Sequence, residues 1–277
     1  MTALCPLHSP PWLAGFDPAL VSAVAALPIE EFLQYANQRA EMQGQCTGHG
    51  KPTRFVPQTT PFAGADYERC IAETGEIPTR DNLHDRYNAL VWLTFPKTKA
   101  SLNQAQVAAM GRQLGRQLGS QVRGRQRDAF TLWDENLAVL VVPAGEAVAI
   151  RQSFARHDWQ EIFVARRERW QQDWQAHLFG HALLEKLAAP FKAITAHLIV
   201  LESPEGNDRS RNGNDLTPID RALVAHLQGL FDPAAFLHLP VMGIPGWDPA
   251  NHDPGFYSDT AVFRPQRAAQ QRGKGGA

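Results

Sequence analysis

The run from Thr79 to Asn103 constrains this chain more than any other, because polar and apolar side chains are crowded there beyond what a simple surface helix requires. Asp81 or Asn82 suits a helix N-cap, and Asp85, three residues past Asn82, can reach back to the free amides of the first turn. Leu83, Tyr87, Leu90, Val91 and Phe95 recur at helical spacing and predict a face packed on the body of the protein. Pro96 is expected to end that helix, leaving Lys97 and Lys99 on a connection before a second helix near Ser101. His84 and Asp85 then stand at one helix N-terminus, about 100° apart around its axis, an imidazole and a carboxylate open to a shared site. Each also has a plain structural use: Asp85 as a cap, His84 as a hydrogen-bonded half-buried ring, and the lysines as solvated cations.

A chain of 277 residues, 44% hydrophobic and 20% charged, has the length and composition to bury a substantial core. A formal charge of -1, with 27 Lys plus Arg against 28 Asp plus Glu, supplies no general field for nucleic acid or an anionic membrane. Three cysteines, Cys5, Cys46 and Cys70, are too few for a disulfide framework and suit a reducing compartment. With no apolar run near 18 residues and no export-type start, a cytoplasmic protein is expected.

Before the central run, prolines around Trp12 suggest an arm laid on the surface, followed by a helix capped by Asp17 and Pro18, stopped by Pro28, and a second helix over residues 29–42. Residues 1–60 are thus an arm and two helices attached to a larger region, 61–265, in one globular domain, with a disordered tail over 266–277. Two Cys-x-x-His pairs, Cys5 with His8 and Cys46 with His49, have zinc-ligand chemistry, but incidental surface positions are the plainer reading. After the run, residues 103–118 continue as helix. Arg112, Arg116, Arg123, Arg125 and Arg127 form a basic series without the interleaved aromatics of a nucleic-acid platform. Residues 129–133 and 137–142 read as a hairpin with Asp134 and Glu135 at its turn. Residues 145–171 read as mostly helical, with a break near His157. Trp174 to Leu187 reads as a buried helix carrying His177, His181 and Glu185 on one face. A strand over 194–200, a helix from Thr217 and a long Pro/Gly/aromatic segment over 231–265 complete a mainly helical α+β chain with a small antiparallel sheet.

The Asn82–Asn103 run resembles the signature N-x-H-D-x-x-N-A-L-x-W-x-x-F-P-x-x-K-x-x-x-N of the bacterial domain-of-unknown-function family 3025. Similar blocks recur at 127–136, 179–185, 239–247 and 256–265. The resemblance strengthens a site role for Asp134 or Glu135 and names no reaction.

No Gly-rich nucleotide fingerprint, nucleophile elbow or Cys-x-x-Cys pair is present, and Leu178 stands where a zincin would have glutamate. The enzyme reading gathers His84, Asp85, Asp134, Glu135, His181 and Glu185 around one pocket, with Lys99 and Arg127 holding an anionic group. His84 is then a base or ligand, Asp85 its orienter or a ligand, and His181 with Glu185 a ligand or proton-transfer pair. Hydrolysis of a small anionic ester is its most concrete form. A divalent metal ion on His181, Glu185 and His84 is a candidate cofactor. The competing reading is a non-catalytic ligand- or protein-binding domain that uses the 231–265 segment. Convergence of His84, His181 and Glu185 within about 8 Å around a solvent-connected cavity is the geometric expectation that separates the two.

Overall fold

Proline, aspartate and glycine set most boundaries near the N-terminus. The computed structural model describes residues 10–59, 65–115, 120–203, 215–229 and 232–266, and within them the side chains of all but 65, 111–115, 120–123 and 235. Helix α1 (Pro18–Ala26) begins where the Asp17 carboxylate accepts from the Ala19 amide, and α2 (Ile29–Met42) follows Pro28. Strand β1 (Arg54–Pro57) pairs in parallel with β2 (Glu76–Thr79) on either side of α3 (Ala65–Thr74). Gly75 joins α3 to β2 at φ 80°, where an added Cβ would lie 2.2 Å from the Pro52 carbonyl oxygen, so glycine is required there on both counts.

Helix α4 (Leu83–Thr94) starts as the sequence predicts, with the Asn82 side chain accepting from the Asp85 amide. The following boundary differs from expectation. Phe95 alone breaks the helix and Pro96 opens α5 (Pro96–Gly115), so Lys97 and Lys99 lie in its first turn rather than on a connection. Proline suits that position because its missing N–H would have no helical partner. The amides of Lys97 and Thr98 are capped from outside the helix by the Asp220 carboxylate, at 3.0 and 2.8 Å.

The hairpin expected over 129–142 is not formed: Phe130 to Trp133 belong to α6 (Ser120–Asn136), which runs directly into β3 (Leu137–Val142). Burial of Ala129, Phe130 and Trp133 on one helix face overrides the β-prone local composition. The helix expected over 174–187 is also corrected. It divides into strand β4 (Gln175–Leu178) and helix α9 (His181–Lys186), because β3, buried along its whole length, takes β4 as an antiparallel neighbour. Between them lie α7 (Ala147–Ala155), a wide turn at Glu161–Ala165 and α8 (Arg167–Gln172), with the expected break at His157, φ 54°. Strand β5 (Thr195–Glu202) pairs with β3 in parallel, and β6 (Leu237–Pro240) closes the order β4-β3-β5-β6 after helix α10 (Thr217–Leu227). The protein is therefore α+β, mainly helical, with a small sheet in which antiparallel pairs flank one parallel pair.

A contiguous cluster of buried apolar side chains extends from Leu13 to Phe263. The C-terminal segment joins it through stacked rings: Phe163 lies between Tyr257 and Trp170, with centroids 5.4 and 5.7 Å away, and Phe263 meets it edge-on. Asn251 serves this scaffold, donating to the carbonyls of Met242 and Ile244. Cys46 and Cys70 are free thiols; Cys5, His8 and the tail from 267 fall outside the described residues. Among the described residues no helix is long and apolar enough to cross a membrane.

Candidate functional site

Helix α9 places His181 and Glu185 one turn apart, and that interval brackets the imidazole of His84 at the start of α4. His84 Nδ1 donates to Glu185 Oε2 at 2.8 Å, while its Nε2 lies 3.1 Å from His181 Nε2. The two rings meet nearly at right angles, centroids 4.5 Å apart. His181 Nδ1 donates to the backbone carbonyl of Asp134 at 2.8 Å; a carbonyl only accepts, so that nitrogen carries hydrogen and His181 Nε2 is left with its lone pair. Glu185 likewise calls for hydrogen on His84 Nδ1. Between the two Nε2 atoms the contact is then attractive only when a hydrogen, supplied by His84, occupies it. The pair thus forms one position for a labile proton. Burial pushes His181 down to about 4, consistent with a neutral ring receiving that hydrogen.

The close approach that aims His181 depends on Gly180. An added Cβ there would lie 2.5 Å from the Glu135 carbonyl oxygen and 2.6 Å from the Asn136 backbone. The amides of Phe179 and Gly180 both donate to the Leu137 carbonyl, fixing the end of α6 against the start of α9.

Behind the histidines lies a buried polar chain. Lys99 donates to Asp134 Oδ1 at 2.5 Å and to Asn88 Oδ1 at 2.9 Å, and Asn88 donates to the Tyr67 hydroxyl at 3.0 Å. Burial pushes the Asp134 carboxyl up, but the Lys99 ammonium and the histidines outweigh it and hold the group below the ordinary aspartate value. Lys99 is 4% exposed and committed to these partners, which corrects its expected role as a substrate-binding cation. Asp85 is corrected as well. Its carboxylate receives the Arg80 amide, Nε and Nη2 at 2.7, 3.0 and 2.8 Å, so Glu185 and not Asp85 orients His84.

These groups face a cleft of about 530 Å³ lined by His84, Asp85, Asn88, Asp134, Glu135 and His181 from the site and by Tyr67, Glu68, Arg80 and Arg127 around it. Arg127 is exposed and forms no ion pair among the described residues, so it remains able to meet an anionic ligand. His177, expected beside His181, is on strand β4 and buried away from the pair's contacts. The expected metal set also changes, because Glu185 and His181 bind opposite nitrogens of the His84 ring and cannot surround one ion with it. No group of three or more His, Cys, Asp or Glu among the described residues is arranged to hold a metal ion. Tyr67, Glu68 and Arg80 were missed by sequence reasoning. Only the short Asp66–Glu68 acidic start of α3 marked that region, and such a start is ordinary at a helix N-terminus.

Fold and site together define a helical α+β protein whose polar cleft is built around a histidine pair. The family described as "Protein of unknown function (DUF3025)" matches residues 53–267, and the chain belongs to that family. No curated protein and no solved structure matches the chain.

Proposed function

We propose that this protein hydrolyses a small anionic ester in the His84–His181 cleft. The observation that carries the reading is the contact between the two Nε2 atoms with both outer nitrogens already committed. When the proton between them is absent, two lone pairs converge on one point beside the cleft, and a water molecule there can give up a proton to it as its oxygen attacks. Glu185 stabilises the imidazolium that results. Arg127, with Arg80 beside Asp85, supplies positive charge for the anionic substituent. Glu135 lines the same cleft and Asp134 anchors His181 through its carbonyl while neutralising Lys99.

A divalent ion is a second candidate occupant, since each outer nitrogen has an acceptor of the kind that backs metal-bound histidine. The donor set supplies only two ring nitrogens at that point, which favours the proton. The binding-domain reading draws less support, because Trp247, Phe256, Tyr257 and Phe263 of the 231–265 segment are buried against the body. A reducing, cytoplasmic setting fits the free Cys46 and Cys70 thiols.

The test is turnover of para-nitrophenyl phosphate and mono-para-nitrophenyl succinate by wild type, His84→Ala and His181→Ala, with folding checked by circular dichroism. Loss of the base is expected to lower kcat/KM by about 10²- to 10⁴-fold. Wild type that turns over neither ester above buffer would sink the reading. Metal analysis of the untagged protein separates the two occupants.

A further inference from the structure

Glu68 is a titratable group in the cleft that the reaction above does not use. It lies near the start of α3, outside the sequence-predicted site, and lines the cleft with His84 and His181. Asn103 Nδ2 donates both to the Glu68 backbone oxygen, at 2.9 Å, and to Glu68 Oε2, at 2.6 Å. The backbone oxygen can only accept, so it fixes which end of the Asn103 amide faces Glu68. Oε2 is therefore an acceptor, and a proton on this carboxyl group resides on Oε1. Glu68 forms no ion pair among the described residues: Lys99, the cation nearest to it in effect, is bonded to Asp134 and Asn88. Burial and the neighbouring Asp134 carboxylate push Glu68 up to about 7, with Lys99 and Asn103 opposing. The tyrosine beside it, Tyr67, is pushed up by burial and by Glu68 itself, and so stays neutral.

We propose that Glu68, clamped by Asn103 in the same cleft as the His84–His181 pair, is the proton donor to the leaving alcohol. The proposal rests on the hydrolase reading. The attacking water forms a bond from its oxygen to the central carbon or phosphorus of the ester and loses a proton to the position between the two Nε2 atoms. The bond from that centre to the alkoxy oxygen breaks with its electron pair on the oxygen. The Glu68 Oε1 proton moves onto that oxygen, and a neutral alcohol departs. The histidine pair returns its proton to solvent and the Glu68 carboxylate takes one up, so ester and water have become acid and alcohol. Two groups are thereby held in opposite protonation states within one cleft, which is what a base and an acid working together require.

The experiment compares wild type with Glu68→Gln on paired substrates: phenyl and para-nitrophenyl phosphate, and methyl and para-nitrophenyl hydrogen succinate. Para-nitrophenolate leaves without a proton, whereas phenolate and methoxide need one. For Glu68→Gln, kcat on the phenyl and methyl esters is expected to fall by about 10²- to 10⁴-fold, and on the para-nitrophenyl esters by less than about tenfold. An equal loss on both members of a pair overturns the donor role while leaving the hydrolase reading standing. Wild type inert on all four esters removes both. Isotope-edited infrared spectroscopy of protein labelled with ¹³C-glutamate reads the protonation directly. Below neutral pH it should show a protonated carboxylic acid band absent from Glu68→Gln, or, if that variant fails to fold, a band that titrates near neutrality. A spectrum with carboxylate alone under those conditions overturns the proposal.

Discussion

His177 shows how strongly position alters a single residue. Its ring is buried on β4, and neither nitrogen reaches a hydrogen-bond partner among the described residues. Burial lowers it from the ordinary 6.5 to about 4. The folded value lies below the unfolded one, so the unfolded chain binds a proton first as pH falls. The stability contributed by the neutral ring is present above 6.5 and is lost as pH drops towards about 4. His181, lowered to about 4 for the same leading reason, adds to the loss in that window. Each group contributes a slope of about 1.4 kcal/mol per pH unit there. His177→Leu keeps the volume and removes the buried polar atoms, so the variant is expected to match or exceed wild-type stability at neutral pH. Urea denaturation across the acid window should give a shallower fall for it than for wild type. Parallel curves would mean that the ring is protonated or hydrated in the folded protein.

At the scale of elements, the site depends on how α9 meets α6 and α4. The signal at Asn82 was legible because a helix start is local chemistry, and α4 begins there. The end of α6 was not, since Phe130, Thr131, Leu132 and Trp133 are β-prone and only packing makes them helical. Trp133 lies within a ring cluster with Phe179 and Phe236, centroids 6.5 and 6.2 Å away, that no local pattern announces. The helix read over 174–187 failed for a related reason. A short apolar run has no periodicity that separates strand from buried helix, and β3 decided the matter by pairing Ala138 with Leu178. His181 and Glu185 kept their spacing of four because both fall beyond that break, in α9. Gly180→Ala tests the junction: its Cβ would strike backbone atoms of Glu135 and Asn136, which cannot rotate away. The expected cost is about 1–3 kcal/mol in a urea titration. The histidine-pair contact should loosen with it, seen as altered imidazole proton resonances. Wild-type stability together with unchanged resonances would show that α9 shifts freely and that its aim does not depend on glycine.

For the whole molecule, the C-terminal segment belongs to the core. Strand β6 pairs with β5, and Phe163 is enclosed by Tyr257, Phe263 and Trp170, while Lys192 lies over the Phe256 ring at 4.3 Å and bonds Asp259. A chain ending at residue 231 would expose one edge of the sheet and strip that aromatic cluster of its partners. It is expected to lose cooperative unfolding and the near-ultraviolet signal of fixed rings, while retaining helical far-ultraviolet intensity. A sharp, cooperative transition for that truncated chain would show the segment to be an accessory, and would return the binding-surface reading to the front.

What the sequence by itself determined was whatever depends on neighbours in the chain: the caps at Asp17 and Asn82, the stop at Pro28, the turn at Gly75, and the spacing of His181 from Glu185. It also marked the start of α4 as carrying an imidazole, although the helix it read from Trp174 begins only at His181. Only the tertiary structure decided which partner. Glu185 rather than Asp85 took His84, Lys99 was drawn inward to Asp134, and Glu68 entered the cleft from α3, the helix before α4. Those choices follow from the packing of α3, α4, α5, α6 and α9, in which the site's polar groups find partners on elements far apart in the chain, and pairing of that kind leaves no periodic mark in the sequence.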